Sequence, residues 1–419
     1  VQSHLPRFVA NTVPFFFAII FLGSVVAILA GCSGSLTQVG QPPTAAAPVP
    51  QKKLYYIVQS LGSLGGSRCC AVVKNNDRGW VVGTSDLPGN KSFHAFLWIN
   101  GTMKDLGTLG GPNSNVGWID NNGGDIAVGG SDTGKPDPLG EEFCEYGTHQ
   151  TCLSFVWHHG KRRLIPTLGG NNNDVGDVDN HGLVLAYGET KVRDPQCIAP
   201  QVLDYEAYTW DPQTGRIRRL APVKGDAVSQ AGPLNDRGET VGYSGACGPQ
   251  FDILLTYHAV LWRGDKPIDL GNLGGTIANE ASGLNNRSQV TGLSALRGNK
   301  TAHAFLWQSG TMSDLGTLPG DHLSSGGDIN DAGQVAGGSC KSAADYPHKC
   351  RATIWTNGMI ADLNTLVRPP SSLFLTFANS INAHGDIVGE AHDRATGALV
   401  PFLATRCDPN GVLVKACSQ

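Results

Sequence analysis

The chain has 419 residues, a formal net charge of −4 and only 16% charged residues, which gives no electrostatic footprint for nucleic acid. Glycine is abundant at 55 residues and cysteine reaches 11. There is no Gly-X-Y period, so collagen is excluded, and that many cysteines points to an oxidising compartment, the periplasm or cell surface.

In chain order, His4 and Arg7 precede an apolar run from Val13 to Ala30, interrupted by Pro14, Gly23 and Ser24 and ending in Leu29-Ala30-Gly31-Cys32. A short basic segment, an apolar core and a small-residue site make a secretory signal. The last four residues resemble the lipobox of bacterial lipoproteins. That resemblance implies cleavage before Cys32 and a lipid on Cys32. With Ser33 next rather than Asp, it also implies the outer membrane, facing the periplasm or the surface. The alternative reading is an uncleaved membrane helix, for which the run is near the lower length limit. Residues 33–53 are rich in Ser, Gly, Pro, Ala and Gln and read as a flexible tether. The expected organisation is a signal peptide over 1–31, a tether over 32–53 and one folded domain over 54–419 with a C-terminal hairpin tail.

From Leu54 onward one text recurs. Its clearest copies are Met103–Gly111 (MKDLGTLGG), Pro267–Gly275 and Met312–Gly320. Weaker copies start at Tyr56, Leu164, Arg218 and Ile360, which makes seven. Each is followed by an Asx hairpin signal, a second strand typified by V-x-G-x-S, and an apolar strand that ends in Trp in six copies and Ala404 in the seventh, with short turns leading into the DLG segments. These are four strands: a up to the Asx, b through V-x-G-x-S, c through HAFLW, and d through DLG. Four short strands in about 45 residues predict an all-β fold, a seven-bladed β-propeller of four-stranded antiparallel blades. The chain opens on a d strand and ends its last c strand near Ala404, so the ring is expected to close by pairing Tyr55–Leu61 with Leu399–Ala404. The rival is the tail, where Val412–Ala416 follows the turn Asp408-Pro409-Asn410-Gly411. Small residues on strand a, as in Ser324-Ser325-Gly326-Gly327, place it innermost. The text His94-Ala95-Phe96, repeated at His303-Ala304-Phe305 and nearly at His258-Ala259-Val260, resembles the bacterial HAF family of extracellular repeat proteins. The resemblance covers about Leu54 to Ala404. It supports the location and repeat count and implies no activity.

Three recurring residue types invite functional readings. His94, His258 and His303 could be metal ligands, but equivalent positions on separate blades diverge, whereas a metal needs convergence; they are expected to form structural hydrogen bonds, with no metal and no cofactor. Trp98, Trp157, Trp210, Trp262, Trp307 and Trp355 could bind sugars, but their spacing suits packing between blades. Asn76, Asp120, Asp179, Asn235, Asn285, Asn330 and Asn382 end the a strands, and turn formation explains them better than calcium binding. No G-x-S-x-G, H-E-x-x-H, C-x-x-C or phosphate loop is present, so no catalytic residue is assigned. Glu141 and Glu142 are adjacent acids with no partner visible in sequence.

Insertions fall between strands b and c, at Asp132–Thr151, Thr190–Asp204 and Gly245–Thr256, so one face is elaborated and is expected to carry any binding site. With Cys32 lipidated, ten cysteines remain, an even number. Cys144 and Cys152 share one b–c loop, and Cys340 and Cys350 another. Cys197 and Cys247 lie in b–c loops of successive repeats, and Cys407 and Cys417 flank the C-terminal turn. These four disulfides are expected; Cys69 and Cys70 are left as a strained bridge or two free thiols. The expected function is a lipid-anchored envelope module that binds or scaffolds an unidentified envelope protein or glycan. The alternatives are a propeller enzyme acting on glycans, as a hydrolase or lyase, or a purely structural surface component.

Overall fold

The computed structural model describes residues 55–67, 71–121, 126–248 and 257–407. Cys32, Cys69, Cys70, Cys417 and the rival tail lie outside them. The described chain forms seven four-stranded antiparallel sheets, in each of which the strands are hydrogen-bonded in the order a-b-c-d. It is a seven-bladed β-propeller. The a strands are Ala71–Asn75, Trp118–Ile119, Asn173–Val178, Val228–Leu234, Glu280–Leu284, Leu323–Ile329 and Leu373–Ile381. Each packs on the next, and the last packs on the first, so strand a lines a central channel.

The two ends of the described chain build the seventh blade together. Strand Tyr55–Ser60 pairs antiparallel with Leu399–Cys407, Tyr55 opposite Cys407 and Ser60 opposite Phe402. This is the closure read from the repeat order, and it leaves no open sheet edge at the junction.

Two parts of the repeat text have a steric cause. In six blades strand a carries a β-bulge. At the V-x-G position of strand b, a Cβ on Gly83, Gly129, Gly242, Gly292, Gly337 or Gly389 would strike a backbone carbonyl of the neighbouring a segment; the third blade alone has an alanine, Ala186, at the matching register. The following Ser anchors the link that enters the blade. Backbone N–H groups of Leu64, Leu109, Val223, Leu273 and Leu318 donate to the hydroxyls of Ser85, Ser131, Ser244, Ser294 and Ser339 at 2.8–3.0 Å. The d-to-a crossing is therefore hooked onto strand b rather than left as a loose loop.

Channel and elaborated face as a candidate binding site

The HAF histidines do not converge. His94 Nδ1 lies 2.9–3.0 Å from the Asp105 carboxylate and His303 Nδ1 2.9 Å from that of Asp314. In each case the Asp is the DLG residue of the next strand, so the two motifs are halves of one cross-strand pair. Asp105 and Asp314 also accept the N–H of Gly107 and Gly316, which fixes the start of the link. His258 turns instead to Asp226 at 2.9 Å. Elsewhere the same register holds other complementary pairs. The third blade has Glu206 with Arg219, the charges reversed. The sixth has Arg351 with Asp321 at 2.8 Å and Asp362 at 3.8 Å. In the second, Leu153 and Leu164 occupy these positions. A position that accepts any compatible pair is structural. Among the described residues the one group with metal-ligand spacing is Cys197, Asp204 and Cys247, and its two cysteines are bonded to each other.

The c-strand tryptophans are buried, from Trp262 at 0% exposed to Trp157 at 6%, and pack between blades. The Asx residues form their turns: Asn285 Oδ1, for example, accepts the N–H of Arg287 and Gln289. They also do something the sequence did not reveal. Asn235 Nδ2 donates to the Asn285 carbonyl, Asn285 to Asn330, Asn330 to Asn382, Asn382 to Asn76 and Asn76 to Asp120. The a–b turns are thus linked blade to blade around the plain face. Asp120 and Asp179 have no amide to donate, and there the N–H of Asn121 and Asn180 bonds the next blade's Asn180 and Asp236 side chains instead.

The opposite face carries the b–c loops and their cystines. Cys144–Cys152, Cys197–Cys247 and Cys340–Cys350 are bonded. Cys407 is also in a disulfide. The partner expected for it, Cys417, is outside the described residues. Glu141 finds partners across the loops. It is fully buried, and its Oε1 accepts the N–H of Val202 and Leu203 at 2.7 and 2.8 Å. Gln201 Nε2 bridges Glu141 and Glu189, and Asn172 donates to Glu189 through its backbone and amide. Burial raises both carboxyls, and the donors they share latch two b–c loops together. Glu142 accepts the N–H of Gly147 and His149, closing its own loop.

The channel is not lined only by small residues, as the strand-a text suggested. Lys74, from the first blade, reaches Asp328 of the sixth at 2.6 Å and lies 5.0 Å from the Trp118 ring. Glycine lets the a segments approach one another closely: a Cβ on Gly117, Gly176 or Gly327 would meet the adjacent a segment's carbonyl. Toward the plain face lies a polar cavity of about 290 Å³. Toward the elaborated face lies one of about 160 Å³, lined by Tyr187, Gln230, Tyr243, Glu280, Tyr346 and Phe377 among others. Strand a supplies Gln230, Glu280 and Phe377; strand b supplies Tyr187 and Tyr243. Tyr346 comes from the b–c loop closed by Cys340–Cys350 and meets Phe377 edge-on at 5.4 Å. The disulfide thus holds one wall of the cavity in place.

Glu280 is the group that stands out. Its side chain opens partly to the lumen yet is ringed by blades, and burial pushes its carboxyl up to about 7. Asp204, raised to about 6 by burial and then by Asp194, lies at the Cys197–Cys247 cystine, and two further shifted carboxyls near this face are tied down. Asp174, raised to about 6 by burial, accepts from Asn115 and the Tyr187 hydroxyl, and Asp132, likewise raised to about 6, accepts from Thr148 and Asn113.

No known protein family matches the sequence, and no curated protein is similar enough to count as a relative. Solved structures do share the fold. The chain is similar to Pyrococcus horikoshii acylaminoacyl peptidase (TM-score 0.51, 9% identity, covering 84% of this chain and 55% of that one). It is also similar to the β-propeller domain of the Trilobed protease from Pyrococcus furiosus, a domain with an open velcro topology (TM-score 0.50, 10% identity, 84% and 99%). A third is oligogalacturonate lyase from Vibrio parahaemolyticus (TM-score 0.49, 9% identity, 84% and 97%). The chain spans about half the length of the peptidase chains it matches. At these identities the likeness concerns the fold alone.

Proposed function

We propose that the chain is an envelope-tethered binding module whose ligand occupies the channel cavity on the elaborated face. The observation that carries this reading is the cavity itself: aromatic rings around one carboxylate, with a wall fixed by a disulfide. Small-molecule sites combine apolar walls with a few placed polar groups in this way. A glycan hydrolase would instead place two carboxyls across the scissile bond, roughly 5 to 9.5 Å apart. Here Glu141, Glu189, Asp174 and Asp132 are bound to N–H or O–H donors, and Asp204, raised by burial and then by Asp194, lies at the Cys197–Cys247 cystine and not in the cavity lining. The anchor in this reading is a lipid on Cys32 at the outer membrane. The cystines support an oxidising compartment but not a particular membrane.

One preparation tests both parts. The full protein is extracted from the membranes of its own cells, and its intact mass should carry acyl groups on Cys32; a retained leader would overturn the anchor. The same protein is then dialysed against pooled envelope glycans and periplasmic small molecules, with bound and free pools read by mass spectrometry. The expected result is one ligand retained and recovered unchanged. Conversion of a component to product would make the protein an enzyme, and retention of nothing would leave a structural component.

A further inference from the structure

We propose that the channel cavity takes a small organic cation, an ammonium group bearing apolar substituents, with Glu280 as its counter-ion and Tyr243, Tyr346 and Phe377 as its walls; this deepens the binding reading above and rests on it. Among the described residues the Glu280 carboxylate has no hydrogen-bond or ion-pair partner, although it lies inside the ring of blades and lines the cavity. An unpaired carboxylate removed from water is costly, and it is relieved by a proton or by a cation. Without a cation a proton provides that relief, in keeping with burial alone raising the carboxyl to about 7. Lys74, the cation in this channel, does not serve, because it is committed to Asp328.

The walls suit the second form of relief. Ring faces attract cations, and aromatic cages recognise ammonium groups. The phenol groups are already engaged: Tyr243 donates to Gln230, Tyr187 to Asp174, and Tyr346 bonds Ser325. The rings therefore offer π and apolar surface rather than free donors that would draw an anion or a sugar hydroxyl. Lower in the same channel, Lys74 over Trp118 already uses this contact. Size narrows the class. A cavity of about 160 Å³ compares with the roughly 150 Å³ engineered cavity that accepts benzene, so one group of about that size fills it.

The pH dependence follows from the groups around Glu280. Burial keeps Tyr187, Tyr243 and Tyr346 neutral well past the physiological range. Lys74 and Asp328 are paired. His348, raised by its bond to Glu390 and placed behind Tyr346, loses its positive charge as pH rises. Ionisation of Glu280 from pH 6 to 8 should strengthen binding of a permanently charged ligand by about tenfold, one pKa unit on either side of its midpoint.

The test titrates the full protein and Glu280→Gln by calorimetry with choline and benzylamine, and with their uncharged isosteres 3,3-dimethylbutan-1-ol and benzyl alcohol. At least one cation should bind ten times or more tightly than its isostere, and Glu280→Gln should abolish that preference. The wild-type affinity for choline, whose charge is fixed, should rise about tenfold from pH 6 to 8, a measurement that needs no variant to fold. Isosteres that bind as well as the cations, with no effect of Glu280→Gln, would overturn the cationic class and leave the binding reading intact. Four probes that all fail to bind would also overturn this inference, and the dialysis experiment would still decide the broader reading.

Discussion

Removing residues 55–60 is expected to abolish the cooperative fold rather than merely loosen it. This strand is the fourth of the seventh blade. Its Tyr56 is fully buried in a cluster with Leu363, Leu375, Ile387 and Phe402. Its carbonyl accepts the N–H of Arg368, and Leu61 N–H donates to the Pro401 carbonyl just beyond it. Truncating a buried aromatic costs about 3–5 kcal/mol, and each ladder hydrogen bond adds roughly 1 kcal/mol. That sum approaches the about 5–15 kcal/mol that holds a typical domain together. The deletion also bares Leu399–Cys407 as an unpaired edge, which invites aggregation. Tyr56→Ala alone should cost about 3–5 kcal/mol and leave a folded but less stable protein. Thermal melts with size-exclusion chromatography read both variants. A monomeric deletion variant melting like the parent would show that the ring is held elsewhere.

Gly389→Ala should rank with the most damaging single-methyl changes among the described residues. The added Cβ would collide with the Phe377 carbonyl and lie 3.0 Å or less from the Phe377 carbonyl carbon and Ala378 Cα. All three are backbone atoms in the bulged a strand of the closing blade, so no side chain can swing away. Overpacking of this kind costs up to about 3 kcal/mol, a fall in melting temperature of roughly 5–10 °C. Gly232→Ala is the matched control. Its Cβ would meet nothing within 4 Å, and loss of unfolded-state freedom should make it neutral or slightly stabilising, by up to about 1 kcal/mol. Equal melting temperatures for the two variants would refute the steric account of the V-x-G motif.

These residues also show where sequence reasoning succeeded and where it could not. Ring closure was legible because the chain starts on a d-type text and the strand types then come out even. Cys144–Cys152 and Cys340–Cys350 were legible because each pair shares a loop, and Cys197–Cys247 because consecutive repeats are neighbours in a ring. The chemistry of the channel was not legible. Glu280 sits in an ordinary strand-a segment, Glu-Ala-Ser-Gly, and only the placement of six other blades desolvates it. Tyr346 comes from a different blade's loop, and no spacing rule links it to Glu280. Glu141 looked unpartnered because its partners, Val202, Leu203 and Gln201, lie about 60 residues away in a neighbouring loop. The His–Asp pairing was hidden by its substitutes: Glu206 with Arg219 shares no letter with His94 and Asp105, yet performs the same cross-strand function with the charges exchanged.

Ligand bound inside the channel near the elaborated face should leave a specific pattern of hydrogen exchange, read by mass spectrometry. The full protein is compared with and without the ligand recovered by dialysis. Slowed exchange is predicted in Val228–Leu234, Glu280–Leu284 and Leu373–Ile381, and in the loop 341–349 that carries Tyr346, while the outer strands Thr102–Asp105 and Thr311–Asp314 stay unchanged. Protection confined to those outer strands, or to the a–b turns of the plain face, would contradict the account and move the site elsewhere on the propeller.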